Sequence, residues 1–213
     1  MRRQLRYRKR FRFRYNWQRR KYIADTAWEN GWIKPIKPLV ELDQSVAIIG
    51  AGSAGLAAAE ELRKVGYQVH IYDRHDRAGG LLVYGIPGFK LEKDVVGRRT
   101  GRLEQSGITF HLDFEVGREA SLAELREKHD ALLVATGVYR ARGLKAPGVG
   151  LGNIREALDY LIASNKKSFG DTVPEFESGA LNAEGKNVVV VGGGDTAMDC
   201  VRTAVRQGAK SVK

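Results

Sequence analysis

The stretch SVAIIGAGSAGLAAAEELRKVGYQVHIYD, residues 45–73, decides the fold of this chain. It opens on Val46–Ile49, a short continuous apolar run of the kind that forms a buried strand in a parallel sheet. A helix follows, because apolar residues recur at helical spacing until Gly66, a residue type that favours the end of a helix. Gln68–Tyr72 then reads as the next strand, so the stretch predicts a βαβ unit.

The turn between the first strand and the helix has the spacing G-x-G-x-x-G and reads Gly50-Ala51-Gly52-Ser53-Ala54-Gly55. In such a turn the first glycine permits a sharp bend, the second lets a pyrophosphate approach the backbone, and the third lets the helix pack on the strand. The helix N-terminus offers N–H groups to phosphate oxygens. Asp73 stands where a carboxylate accepts hydrogen bonds from a ribose. The sequence therefore predicts a dinucleotide site.

The same pattern occurs a second time near the end of the sequence. The apolar run Asn187–Val191 leads into Gly192-Gly193-Gly194-Asp195-Thr196-Ala197, and a helix then runs to Gly208. The two loops are offset by 142 residues (192 − 50), so the residue equivalent to Asp73 would be at position 215, outside the 213 residues given. The residue at that place selects between the 2′-hydroxyl of NAD and the 2′-phosphate of NADP, so the sequence does not distinguish the two cofactors. Two such loops predict two dinucleotides, most simply a nicotinamide that passes hydride to a flavin.

Strands and helices alternate between the two loops, which predicts an α/β fold with a mostly parallel, Rossmann-like sheet. We expect helices at 91–106, 121–128 and 154–164, strands at 108–112 and at Ala131–Ala135, the latter buried, and a polar connection over 165–185.

The net charge of +11 comes entirely from residues 1–21, which hold eleven Lys and Arg and no acid. Arginines and aromatic residues alternate there, which suits an arm that binds nucleic acid, an organelle-targeting leader or a disordered extension. We favour the extension, because charge runs are commonly solvated, and we expect no nucleic-acid partner. The longest mostly apolar stretch, Val46–Ala59, is shorter than the ~18 residues of a membrane span. No secretory signal is evident, so we expect a cytoplasmic protein without a membrane partner.

The titratable residues show no catalytic or metal-binding pattern. Cys200 is the single cysteine, and its apolar helical neighbours predict a packed thiol. The four histidines have no zinc or iron spacing and are expected to be surface or strand residues: His70, His75, His111 and His129. We therefore assign no catalytic residue and no metal ligand.

Further motifs carry a resemblance to a known family. They are DRHDRAGGL at 73–81, YGIP at 84–87, FKLEKDVV at 89–96, ATG at 135–137 and GGGDTAMD at 192–199, with YIADTAWENGW at 22–32 ahead of them. Together with the two loops, they resemble the small (beta) subunit of NADPH-dependent glutamate synthase, within the FAD-dependent pyridine nucleotide-disulfide oxidoreductase superfamily. The resemblance covers about residues 22–213.

The resemblance implies electron transfer from NADPH to FAD, and then through iron–sulfur clusters to a large subunit that makes glutamate from glutamine and 2-oxoglutarate. Carried over by position, the residues that contact FAD are Gly50, Ala51, Gly52, Ser53, Ala54, Gly55, Asp73, Gly80, Leu81 and Lys90, with Thr136 and Gly137 closing over it. The residues that hold the NADPH pyrophosphate are Gly192, Gly193, Gly194, Asp195, Thr196 and Ala197. We expect a linker at 22–44, an FAD-binding domain at 45–185 and the start of an NAD(P)H-binding domain at 186–213.

The sequence departs from the family pattern in several places. Ser53 replaces a usual proline, and Gly97 lies inside an expected helix. The cysteine-rich cluster domain, the rest of the NADPH domain and the returning FAD segment have no counterpart, so the sequence looks like a fragment of such a subunit. Two hypotheses follow: a flavin-dependent oxidoreductase that uses NADPH, or a non-catalytic dinucleotide-binding fragment of one.

Overall fold

The computed structural model describes residues 18–141 and 143–213, which divide between two compact units at Pro35 and Ile36. In the first unit, helix α1 covers residues 18–29. It therefore includes the start of the segment 22–44, which the sequence predicts to be a linker. Most of the predicted basic tail, residues 1–17, lies outside the described residues. In the part of the chain that the structure describes, no helix is long and apolar enough to cross a membrane.

The second unit is built on a parallel sheet of four strands in the order β3-β2-β1-β4. The strands are β1 Ser45–Ile49, β2 Gln68–Tyr72, β3 Thr109–His111 and β4 Ala131–Val134. Every pairing is parallel, and β1 pairs with β2 on one side and β4 on the other. The predicted Rossmann-like α/β fold is thus confirmed.

Seven helices of the described residues belong to this unit, and three of them (the first, third and fourth in the order given next) pack against the four-stranded sheet. They are α2 Ser53–Val65, α3 Leu81–Tyr84, α4 Lys93–Gln105, α5 Leu122–Lys128, α6 Ala157–Ser168, α7 Pro174–Glu177 and α8 Asp195–Arg206. Successive residues of β1 enter two different apolar clusters. Val46 and Ile48 pack in one cluster with residues of α2 and α4, whereas Ala47 and Ile49 pack in the other with Leu125 of α5. This alternation explains why the strand is apolar throughout.

The structure corrects the predicted polar connection over residues 165–185. Helix α6 continues past residue 164 to Ser168, and α7 lies within the same segment. The cause is a long-range contact, because the buried amide of Asn165 donates from Nδ2 to the backbone oxygen of Tyr84 at 2.7 Å. A polar residue thus holds this part of α6 against α3.

Strand β4 also differs from its prediction as a buried strand. It lies at the edge of the sheet, where Leu133 and Val134 are 38% and 62% exposed. An apolar run does not by itself distinguish a central strand from an edge strand, because strand order is set by the tertiary fold.

A second, two-stranded parallel sheet pairs β5 Asn187–Val188 with β6 Ser211–Val212, and α8 lies between them in sequence. The strand and the helix around the second loop are those that the sequence predicts, whereas β6 is a further strand that it does not predict. Strand β5 is shorter than the predicted run to Val191, because β6 pairs with it over two residues.

Candidate dinucleotide site

The first glycine loop joins β1 to α2, and two of its glycines are required by the packing of the chain itself. Gly50 has a φ of +112°, and a Cβ placed there would lie 2.4 Å from the backbone oxygen of Ala135. A Cβ on Gly55 would lie 2.0 Å from the backbone oxygen of Gly50. Both distances are far below van der Waals contact. The turn can lie this close to the end of β4 only without a side chain at Gly50, and α2 can begin this close to β1 only without one at Gly55.

Gly52 is different, because no described atom lies within 4 Å of a Cβ placed on it. It is the N-cap of α2 and has extended backbone angles, φ −74° and ψ −177°. The amides of the first helical turn lack partners within their helix, and the helix dipole favours an anion at this end. Open space beside these amides fits a pyrophosphate group.

Asp73 follows β2, and its buried carboxylate is bound to the first loop. Oδ2 accepts from the amide of Ala51 at 2.6 Å, and Oδ1 accepts from the amide of His75 at 2.9 Å and lies 2.8 Å from His75 Nδ1. Burial opposes ionisation, but the hydrogen bonds from His75 and Ala51 hold the pKa of this carboxyl below its usual value. A carboxylate accepts about four hydrogen bonds, so capacity for a sugar hydroxyl remains.

Gly80 lies against the first loop. The neighbouring Gly79 donates its amide to the Ala51 oxygen at 2.8 Å, and a Cβ on Gly80 would lie 2.8 Å from the Cα of Gly52. Leu81, the first residue of α3, is partly exposed directly after this contact. Gly80 therefore borders the open space at Gly52, and Leu81 follows it in the chain.

Thr136 and Gly137 follow β4, and Thr136 borders the start of the same loop. Ala135 donates its amide to the Ile49 oxygen at 2.8 Å, and a Cβ on Gly50 would lie 3.1 Å from the Cα of Thr136. Gly137 has a φ of +73°, which turns the chain away after the strand. The structure thus brings Thr136 beside Gly50, which is the position expected of a residue that belongs to the same site.

Lys90 binds the helix of the second loop. Its Nζ lies 3.0 Å and 3.1 Å from the two carboxylate oxygens of Asp199 in α8, a residue that is only 5% exposed. The guanidinium of Arg206, also in α8, lies 3.8 Å from the ring centroid of Phe89. The segment at 89–90 is therefore attached to α8 by an ion pair and a cation–π contact. An ammonium has three N–H groups, so one remains for another acceptor.

The second glycine loop, Gly192–Ala197, has the same open character as Gly52. Gly192 has a φ of +145°. A Cβ placed on Gly193 or on Gly194 would have no described atom within 4 Å. Gly194 is the N-cap of α8. The predicted residues of this loop thus surround the N-terminus of a helix, as those of the first loop do.

Three histidines meet beside the sheet, although their sequence spacing gave no signal. His70 Nδ1 lies 3.2 Å from His111 Nε2, and His129 Nε2 lies 2.9 Å from the hydroxyl oxygen of Tyr72. Parallel pairing of β2 with β3 brings the first two together. Burial lowers the pKa of all three imidazoles. Over the described residues, no group of His, Cys, Asp and Glu suits a metal ion.

A ring cluster beside Asp73 was also missed by sequence reasoning. The His75 ring lies 4.8 Å from the Tyr84 ring and 5.8 Å from the Tyr139 ring, measured between centroids. The guanidinium carbon of Arg74 lies over the Tyr139 ring at 4.7 Å. These residues lie in the motifs at 73–81 and 84–87 and in the segment after 137, but their contact depends on the sheet order.

Comparison with known proteins gives a family match. The family model described as pyridine nucleotide-disulphide oxidoreductase matches residues 44–213. The chain is 70% identical to the glutamate synthase [NADPH] small chain of Azospirillum brasilense over 193 residues, which is 91% of this chain and 40% of that protein. It is 63% identical to the putative glutamate synthase [NADPH] small chain of Cereibacter sphaeroides, over 91% of this chain and 46% of that protein.

Among solved structures, FprA from Mycobacterium tuberculosis (His57Gln mutant) has a TM-score of 0.66 at 23% identity, over 83% of this chain and 43% of that chain. This likeness shows the fold. The chain spans less than half the length of each of these relatives.

Proposed function

Because this chain belongs to the pyridine nucleotide-disulphide oxidoreductase family, we propose that it binds FAD at the first glycine loop and NADPH at the second, and passes hydride from the nicotinamide to the flavin. The observation that carries the proposal is the Lys90–Asp199 ion pair. It joins the segment that follows the first loop to the helix that begins at the second, so the two nucleotide sites share one support.

The residues around the first loop fit FAD. The open space at Gly52 and the N-terminus of α2 take the pyrophosphate, while Asp73, fixed by the Ala51 amide, takes a ribose hydroxyl. Gly80 borders this space, and Thr136 lies beside Gly50 at the start of the loop. When bound, FAD supplies the ring system that accepts a hydride. The chain itself binds and orients the cofactor.

Lys90 has a separate role in this proposal. Two of its N–H groups face the Asp199 carboxylate, and we assign the third to the flavin nucleotide. Asp199 then acts as a positioning residue, because its buried carboxylate fixes the direction of the lysine ammonium.

The similarity to glutamate synthase small chains extends the proposal to the later steps. We propose that electrons leave FAD through iron–sulfur clusters toward a large subunit that makes glutamate from glutamine and 2-oxoglutarate. The 70% identity to a small chain whose name specifies NADPH supports both the donor and the partner. The cluster ligands would lie outside these 213 residues, because the sequence has one cysteine.

The test is FAD binding by the full chain and by Gly52→Leu, which fills the open space. We expect flavin fluorescence to be quenched on titration and the affinity of Gly52→Leu to fall at least about tenfold, since a bulky side chain excludes the pyrophosphate. Gly97→Leu is the matched control, because Gly97 also has open space but lies in α4. A chain that binds no FAD refutes the proposal.

NADPH-driven reduction of a dye by the FAD-loaded chain then separates the two hypotheses. Dye reduction supports the oxidoreductase. FAD binding without dye reduction supports the non-catalytic dinucleotide-binding fragment. That hypothesis agrees with the match to the relative, which covers 40% of the relative's length.

A further inference from the structure

The carboxylate of Asp73 accepts three hydrogen bonds from the chain itself. Oδ1 accepts from the backbone amide of His75 at 2.9 Å and lies 2.8 Å from Nδ1 of the His75 ring, and Oδ2 accepts from the amide of Ala51 at 2.6 Å. Because the pKa of this carboxyl is below its usual value, the group is ionised at neutral pH and acts only as an acceptor. Nδ1 of His75 therefore carries the proton and donates it.

The acceptor capacity that remains is unequal between the two oxygens. Each oxygen of a carboxylate has two lone pairs. His75 uses both lone pairs of Oδ1, one through its backbone and one through its ring, whereas Ala51 uses one lone pair of Oδ2. A ribose carries neighbouring 2′- and 3′-hydroxyls, which can bind a free carboxylate with one hydroxyl on each oxygen. Asp73 cannot bind both in this way, because Oδ1 is fully used.

The His75 ring is held in this position by aromatic neighbours. Its side chain is only 19% exposed, and its ring lies 4.8 Å from the Tyr84 ring and 5.8 Å from the Tyr139 ring, measured between centroids. Tyr84 is itself fixed, because it is fully buried and its hydroxyl donates to Asp76. The ring is thus packed on the partner that keeps Nδ1 directed at Asp73.

Asp73 is fixed through its backbone as well as its side chain. Its amide donates to the backbone oxygen of His111 at 2.9 Å, and its own backbone oxygen accepts from the amide of Phe114 at 2.9 Å. Rotation of the carboxylate would break the hydrogen bonds to Ala51 and His75 together. The same oxygen, Oδ2, therefore keeps the remaining lone pair.

We propose that His75 is a specificity-determining residue that limits Asp73 to a single ribose hydroxyl. It acts through Asp73 and not on the nucleotide, so it is a positioning residue. This inference rests on the proposed FAD site at the first loop, where Asp73 takes the ribose. It follows that one of the two hydroxyls of the adenosine ribose contributes to affinity through Asp73 and the other does not.

The first test uses the full wild-type chain loaded with FAD. ADP, 2′-deoxy-ADP and 3′-deoxy-ADP compete with FAD, and flavin fluorescence measures its displacement, so that the first site alone is observed. We expect one deoxy nucleotide to bind at least about tenfold more weakly than ADP, as for the loss of a hydrogen bond to a charged acceptor, and the other to match ADP within about twofold. Equal weakening of both overturns the inference, and so does no weakening of either.

The second test compares the wild type with His75→Ala and His75→Asn. The alanine variant frees a lone pair of Oδ1 for the second hydroxyl, so both deoxy nucleotides should bind more weakly than ADP. The asparagine side chain places an N–H near the position of Nδ1 and should restore the wild-type contrast, which a purely structural role of the ring would not explain. FMN lacks the adenosine ribose and should bind all three proteins equally. A wild-type contrast in His75→Ala overturns the inference.

Thermal unfolding checks that each variant is folded. His75→Leu, which keeps an apolar side chain against Tyr84, repeats the second test if the alanine protein does not unfold cooperatively. If FAD binds none of the proteins, the proposed function fails together with this inference. Normal FAD binding with equal effects of the two deoxy nucleotides refutes the role of His75 alone.

Discussion

The Lys90 ammonium lies 3.0 Å from the Asp199 carboxylate, although 109 positions separate the two residues in sequence. The carboxylate is buried and the lysine is partly exposed. In the described parts of the chain Lys90 is the cation paired with Asp199. Removing one member of a buried charge pair destabilises the fold, because the other charge stays buried without a partner.

We therefore predict that Lys90→Met lowers the free energy of unfolding by about 1–3 kcal/mol, less than for a fully buried pair because Lys90 is partly solvated. Adding Asp199→Asn should recover part of this loss, because the uncompensated charge is then removed. Urea unfolding of the two single variants and the double variant measures the coupling. Strictly additive effects would show that the pair contributes nothing to stability.

Two glycines of the first loop should differ strongly in how much the same substitution destabilises the fold. A Cβ on Gly55 would lie 2.0 Å from the Gly50 oxygen, whereas a Cβ on Gly52 meets no described atom within 4 Å. Gly55→Ala should destabilise the fold by about 3 kcal/mol or more, because α2 must move away from β1. Gly52→Ala should change the free energy of unfolding by less than about 0.5 kcal/mol.

Thermal unfolding of both alanine variants checks this contrast. Gly52→Ala serves as the internal control, since it adds the same methyl group within the same loop. Equal melting temperatures for the two variants would contradict the packing described for Gly55.

The region that the sequence predicts best is the one with local signals. The apolar run of β1, the glycines of its turn and the helix stop at Gly66 lie within one short stretch, and the structure has each element close to its predicted place. The site residues around Gly52 and Asp73 follow from the same spacing. Their geometry agrees with a dinucleotide site, and their roles remain predictions.

What the sequence could not predict depends on contacts between distant residues. Helix α6 extends to Ser168 because Asn165 binds the oxygen of Tyr84, and no local pattern marks that contact. Strand β4 is exposed because of its place in the sheet order. The partner of Lys90 was missed for the same reason, since Asp199 reaches it only through the packing of α8.

Cys200 should react slowly while the chain is folded. It is buried in α8, and burial together with the nearby Asp199 carboxylate raises the pKa of its thiol to about 11. At pH 8 only about one molecule in a thousand would then carry the thiolate, the form that reacts with alkylating reagents. We predict that iodoacetamide labels the folded chain at least about tenfold more slowly than the chain in urea.

Mass spectrometry over time measures this labelling. Asp199→Asn should increase the folded rate, because a neighbouring negative charge that opposes the thiolate is removed. Labelling of the folded wild type as fast as that of the unfolded chain would show that the thiol is accessible and not packed.

The histidine cluster predicts a loss of stability in mild acid. Burial, together with nearby positive charge from Lys128, lowers the pKa of His70, His111 and His129 below the ordinary value of 6.5. The unfolded chain therefore binds more protons than the folded chain as the pH falls through 6.5, and stability decreases in that direction. Urea unfolding at pH 8, 7, 6 and 5.5 should show a constant free energy above about pH 7 and a decline below it. His111→Gln removes one of the three imidazoles and should make the decline shallower, whereas an unchanged slope in this variant would place the acid sensitivity elsewhere in the fold.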